Sequence, residues 1–199
     1  MVALNLWKCL IVFILIILHC YADYSNKAGP YDVIFRQIDE CTNAGTREVV
    51  MNAKIKKLDR ETTAIDGNMT LKTPFNDDIT SILKLSQFTN GGYKENSYTQ
   101  VVKKSCNTIL NLLPVMTKEI WKAGNIGKGC PIKPGTYNIY NYTTKEQINI
   151  VPIFFYNKYK AEIIYNKFGK RVGCIEIYAE IVPKRQHSGR GGLGQRKRS

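Results

Sequence analysis

The chain has 199 residues, with 29 Lys+Arg against 16 Asp+Glu for a net charge of +13, and it is 44% hydrophobic and 23% charged. That balance belongs to a folded domain rather than a disordered chain. Its two histidines, His19 and His187, lie near the two ends, so a folded body between them can build neither a Ser-His-Asp or Cys-His site nor a His-ligated zinc or iron centre.

Residues 1–22 read as a secretory signal peptide. Lys8 precedes an uninterrupted apolar run, residues 9–18 (CLIVFILIIL), and Cys20 and Ala22 stand at the −3 and −1 positions of a cut after Ala22. A membrane span needs roughly 20 apolar residues, and His19 and Asp23 end this run at about half that. The expectation is a secreted, extracellular protein that does not span a membrane. Residues 23–183 are then one domain, and residues 184–199 a basic tail. Four cysteines remain in that mature chain: Cys41, Cys106, Cys130 and Cys174. An even number in an oxidising compartment predicts disulfides, with three pairings open on counting alone. No Cys-x-x-Cys occurs, so a zinc ribbon or thioredoxin-type site is not expected, and neither a metal nor another cofactor is implied.

From Tyr31 the apolar pattern is mostly period two. Val49, Met51, Ala53 and Ile55 alternate with Lys54 and Lys56, and Ile65, Met69 and Leu71 with Asp66, Asn68 and Thr70. Tyr159, Ala161, Ile163 and Tyr165 alternate with lysines and Glu162, and Ile175, Ile177, Ala179 and Ile181 with Glu176, Tyr178 and Glu180. Strict alternation puts one face of a strand on a core and the other in water. Turn signals are read at Asp66-Gly67, Asn90-Gly91-Gly92, Pro134-Gly135 and Phe168-Gly169. Several half-buried strands at this spacing predict a sandwich or cup.

Residues 98–124 break the pattern. Ile109, Leu112 or Leu113, Met116 and Ile120 recur at helical spacing, and Pro114 interrupts them because it lacks an N–H. Two short helices are predicted, over about residues 99–113 and 115–122. Asn68-Met69-Thr70 and Asn141-Tyr142-Thr143 are glycosylation sequons. Asp77-Asp78 precedes a predicted strand. Neighbours in extended chain point to opposite faces, so the pair reads as turn-capping rather than as one site. Residues 150–156 (IVPIFFY) are apolar on both parities, and Pro152 keeps them from a central strand. That leaves a buried edge segment or an apolar rim at a pocket mouth. Residues 184–199 hold six Lys/Arg, four Gly and one Leu, too little apolar surface to order themselves. The tail is read as a solvated extension, with attraction to an anionic surface or dibasic trimming as alternatives. Nucleic acid is not an expected partner, because no reading element is recognisable.

The segment 128–137 (KGCPIKPGTY) runs into Asn138-Ile139-Tyr140-Asn141. Upstream stand Pro74, Asp77-Asp78, Gly92-Tyr93-Lys94 and Cys106, and downstream Val172-Gly173-Cys174-Ile175-Glu176-Ile177. This order, over about residues 31–182, resembles a large family of secreted insect proteins. Many of those are known only as a domain of unknown function. Some are chemosensory proteins similar to the ganglioside activator and to the ML-type (myeloid-differentiation-factor-related) lipid-recognition domains. The resemblance implies an all-β, immunoglobulin-like sandwich or cup with one inserted helical segment, its sheets splayed to hold an acyl chain or hydrocarbon, without catalysis. In the resembled folds the first and last strands are often tied and a second bridge closes a middle loop. By that likeness the pairs would be Cys41–Cys174 and Cys106–Cys130.

The residues agree with a carrier. An acyl chain of about 16 carbons gains on the order of 10 kcal/mol gross in a dry cavity, with no catalytic group required. Met51, Ile55, Leu71, Leu83 and Leu85 are candidates for the wall. Leu112, Leu113, Met116, Ile120 and Trp121 would form a lid or a further wall, and Phe154 and Phe155 the rim. Two other readings compete. One is an extracellular protein-interaction module with a filled core. The other is a carboxylate hydrolase, for which two carboxylates about 5–10 Å apart in a cleft are needed; Glu176 and Glu180, about 13 Å apart along one strand, are too distant.

Overall fold

The computed structural model describes residues 11–15, 27–58, 63–143 and 152–184. The signal peptide expected over residues 1–22 lies outside these, apart from a helical stretch at 11–15, and so does the basic tail beyond Lys184. Among the described residues from 27 on, ten strands and two helices follow in order: β1 (Ala28–Gly29), β2 (Tyr31–Glu40), β3 (Val49–Lys57), β4 (Thr63–Leu71), β5 (Ile79–Thr89), β6 (Gly92–Val102), α1 (Ser105–Leu112), α2 (Pro114–Ala123), β7 (Gly135–Thr143), β8 (Phe154–Phe155), β9 (Asn157–Lys167) and β10 (Lys170–Pro183).

Hydrogen bonds order the main sheet β6-β5-β9-β10-β3-β4-β7, with β2 also on β10, while β1 and β8 form a separate two-stranded sheet. The long strand β10 is the fork. Its far half pairs antiparallel with β2 from Ile175 to Pro183, and it meets β3 only at the parallel bridge Gly173–Val49. A single bridge cannot hold two sheets flat. The strands therefore fold into a five-stranded layer, β6-β5-β9-β10-β2, and a three-stranded layer, β3-β4-β7, that face each other. Clusters with members from both layers show the facing: Val49 and Leu71 pack with Ile79 and Val172, and Ile65 and Ile139 with Ile38 and Ile175. This is the all-β sandwich that alternation predicts, with the inserted helical segment read from the helical spacing of residues 98–124.

Gly173 sits at the fork for a steric reason. A Cβ there would fall on the carbonyl oxygen of Val49, so only glycine allows this close approach of two backbones. A bulge between Arg171 and Gly173 also turns Val172, 3% exposed, into the core. At Phe168-Gly169 both residues have positive φ, 48° and 76°, the two-residue turn that suits a right-twisted hairpin.

Two local expectations are corrected. Asp66-Gly67 is no turn; it lies within β4, where a Cβ at Gly67 would meet the β3 backbone at Asn52 and Ala53. The first helix does not begin near residue 99. Residues 99–102 finish β6, whose Tyr98, Thr99, Val101 and Val102 pair with β5 and carry the aromatic and β-branched side chains that favour a strand. The helix starts at Ser105, after Lys104 turns left-handed at φ 50°. Pro114 then serves as the first residue of α2, where its missing N–H costs nothing.

α1 has no acidic residue in its first turn and no capping side chain of its own. Its cap comes from elsewhere in the chain. Asp77 Oδ1 accepts from the Asn107 N–H (3.0 Å), and Oδ2 from the Asn107 side-chain amide (2.7 Å). These bonds, the backbone one foremost, hold the Asp77 carboxyl below its usual range. Asp78 closes the local turn with Asn76 (2.8 Å). The acidic pair thus divides its work between a turn and a distant helix.

Candidate functional site

Both disulfide pairs implied by the resemblance are present, Cys41–Cys174 and Cys106–Cys130. The first ties the end of β2 to β10 beside Ile164. The second pins α1 to the loop before β7 within the base of the sandwich.

That base is closed. Val49, Leu71, Phe75, Ile79, Cys106, Ile126, Ile132 and Val172 are each at most 9% exposed and pack as one cluster, with Trp121 against it. Tyr165 extends from this base toward the middle of the sandwich, and burial pushes its hydroxyl up to about 12, so it stays neutral. At the far end a second apolar corner forms where the half-buried Phe154 ring meets Tyr31 (5.6 Å, tilted) and Tyr159 (5.3 Å, edge-on) beside Ile181.

Between these ends the interior is apolar but not closed. Ile38, Ile65, Ile139 and Ile175 are buried, yet Phe35, Met51, Ala53, Ile55, Met116, Ile120 and Ile177, packed on them, are only half-buried. By strand parity Leu83, Ala161, Ile163 and Ala179 point to the same interior, and they too are half-buried. An opening accounts for this on one side. Along the free edge of β3, where β2 and β3 diverge from the fork, lies a cleft of about 750 Å³, with Ile38, Met51, Ala53 and Ile55 from the inner side, Asn52, Lys54, Lys56, Asp66 and Asn68 from the outer face of the three-stranded layer, and Asp39 and Glu40 from β2. The volume falls within the roughly 300–1,000 Å³ of small-molecule sites. Several of the charges are engaged: Arg47 holds Glu40 at 2.8 Å, and Lys56 lies 3.8 Å from Asp66. Asp66 also accepts from the Asn141 N–H (2.6 Å).

The structure therefore separates the residues that sequence spacing grouped. Met51, Ile55, Met116 and Ile120 come together in the half-open middle. Leu71, 2% exposed, and Trp121 belong to the closed base. Leu85 and Phe154 join the far corner. Leu83 and Leu113 are half-buried, while Leu112 and Phe155 point outward, 58% and 52% exposed. Spacing missed the contribution of β2, whose Phe35 and Ile38 both face inward although their separation breaks strict alternation. An irregularity in the β2–β10 pairing at Tyr178/Ala179 resets the parity, and nothing local in the sequence announces it.

Folding also assembles a charged row unseen along the chain. Register places Asp39, Glu176, Glu162 and Lys84 side by side across β2, β10, β9 and β5. Tyr178 donates to Glu176 (3.0 Å), and Lys160 lies 3.8 Å away. Burial first, then Glu176, raises Tyr178 to about 12. Glu162 and Glu176 stand on the outer sheet face and do not line the cleft. Cys41, Cys174 and Glu162 lie close enough to group around an ion, but both sulfurs are spent in the disulfide and offer no thiolate. The sequon asparagines are accessible: Asn68 is half-exposed between Asn52 and Asn138 on the outside of the three-stranded layer, and Asn141 is exposed at a bulge in β7 with φ 51°. Among the described residues no helix is long and apolar enough to cross a membrane.

Neither a protein-family model nor a curated protein matches the chain.

Proposed function

We propose that the protein is a secreted, non-enzymatic carrier that holds a lipid or other long-chain hydrophobic ligand between its two β layers. The observation that supports this is the half-buried apolar middle of the sandwich, above a closed, disulfide-pinned base and beside an open cleft along the β3 edge. A filled protein core has no reason to leave inward Met51, Ile55, Ile163 and Ile177 wet; a long apolar ligand would dry them. Two disulfides fit an oxidising compartment, and the signal-like N-terminal segment agrees with export. The resemblance to ML-type and ganglioside-activator-like proteins adds the ligand class and a chemosensory setting.

Native mass spectrometry of glycan-trimmed protein from a eukaryotic secretory host, followed by organic extraction, tests the reading. The expected result is a stoichiometric acyl or hydrocarbon species released on extraction. A clean apo mass, with no uptake from a panel of fatty acids and long-chain esters, would overturn it in favour of an interaction module whose core needs no ligand.

A further inference from the structure

The carrier reading leaves the outer surface of the β1–β8 end unused. Strand parity there turns Phe154, half-buried, toward Tyr31 and Tyr159 and its neighbours out: Ile153 is 55% and Phe155 52% exposed. The exposure is built into the fold. Phe155 and Phe154 pair with Ala28 and Gly29. The Tyr156 N–H donates to Lys27 O (2.8 Å), its hydroxyl to Pro30 O (3.1 Å), and the Tyr159 hydroxyl to Phe155 O (3.1 Å). The tip of β5 joins the same end, because the Asn157 side chain donates to Phe88 O (3.1 Å), and the Phe88 ring is 41% exposed. Three large apolar side chains are thus presented on a rigid edge.

Lysines outnumber carboxylates among the exposed charges around them. Lys27, Lys158 and Lys184 are exposed at this end, with Lys158 Nζ 5.8 Å from the centre of the Phe88 ring and the Lys184 N–H on Pro30 O (2.9 Å). The nearby carboxylates, Asp32 and Glu180, are half-buried, and Arg36 holds Glu180 at 2.6 Å. Beyond Lys184 the sequence runs into 15 residues with five further Lys/Arg. A second copy of the chain would bring lysine against lysine here.

We infer that this end is a docking face for an anionic bilayer. Apolar side chains ringed by lysines match a membrane surface, where the rings enter the acyl boundary and the ammonium groups meet lipid phosphates and carboxylates. The face is distinct from the cleft and does not depend on what the cleft holds.

Flotation of the full secreted protein with phosphatidylcholine vesicles, with and without phosphatidylserine, is the test. Binding is expected only with phosphatidylserine and should weaken as salt rises. Phe155→Ser should weaken it by roughly tenfold and Lys158→Ala by about fivefold. Leu112→Ser, an exposed apolar side chain away from this end, should bind as wild type does. Equal binding to both vesicle types, or binding untouched by Phe155→Ser and Lys158→Ala, would overturn the inference. So would a dimer that Phe155→Ser dissociates without any vesicle binding. Uptake of a fluorescent fatty acid, measured without vesicles, reports on the carrier reading alone, so each idea can fail separately.

Discussion

Leu71 and Ala53 lie on adjacent antiparallel strands of the same layer, yet substitutions there should behave in opposite ways. Leu71 is 2% exposed in the closed base. Leu71→Ala removes three buried carbon groups, about 2.4 kcal/mol at 0.8 kcal/mol each, and leaves a cavity that a pinned base cannot collapse, so a loss of about 3–4 kcal/mol is expected. At about 2–4 °C per kcal/mol for a chain of this size, Tm should fall by roughly 6–16 °C. Ala53 faces the half-open middle. Ala53→Leu in a filled core would cost about 1–3 kcal/mol by overpacking; here it should cost less than about 0.5 kcal/mol, because Ala53 lines the open cleft and the added carbons can extend into it, and on the carrier reading it should shorten the ligand that fits. Urea unfolding with the disulfides intact gives both values, provided the slope m is unchanged between variants. An Ala53→Leu penalty near that of Leu71→Ala would refute the argument, since it would mean an interior packed evenly from base to cleft.

Further outcomes follow from other sites. Asp77→Ala should lower Tm at neutral pH by uncapping α1. Because the folded carboxyl titrates below its unfolded value of about 4, its contribution is present above that pH and fades below it; thermal melts from pH 7 to 3 should show the variant and wild type converging, and a constant gap would argue against the cap. Replacing Cys106 and Cys130 together opens a 24-residue separation and should cost about 3.5 kcal/mol; replacing Cys41 and Cys174, 133 residues apart, should cost about 5 kcal/mol. A reversed order in denaturant midpoints would mean that strain, not chain entropy, governs the bridges. Gly173→Ala should destabilise by about 1–3 kcal/mol by driving β3 from the fork, and an unchanged midpoint would show that the two layers do not need the contact. Peptide-N-glycosidase treatment should lower the mass of secreted protein at Asn68 and Asn141, and no shift would mean that the two sequons are not used.

Much of this was present in the chain itself. Alternation in residues 49–57 and 159–165 named strands, their period and their buried side, because a pleated backbone sends neighbours to opposite faces whatever they pack against. Helical spacing found α1 and α2, though not the start of α1, since Tyr98 to Val102 satisfy a strand once β5 lies beside them. The cysteine pairs came from likeness to a family, as counting alone left three arrangements.

What alternation could not supply was how far each inward residue is enclosed. Leu71, Met51 and Ile55 share one face of two neighbouring strands and look alike in sequence. One is sealed in the base and the others stay half-wet, because the layers close at the fork and diverge beyond it. That divergence goes with a single bridge at Gly173 and with the irregularity that brings both Phe35 and Ile38 inward. Each joins segments far apart in the chain, so the sequence determines which side chains are offered to the interior, and only the tertiary packing decides which of them the protein covers itself and which it leaves for something else to cover.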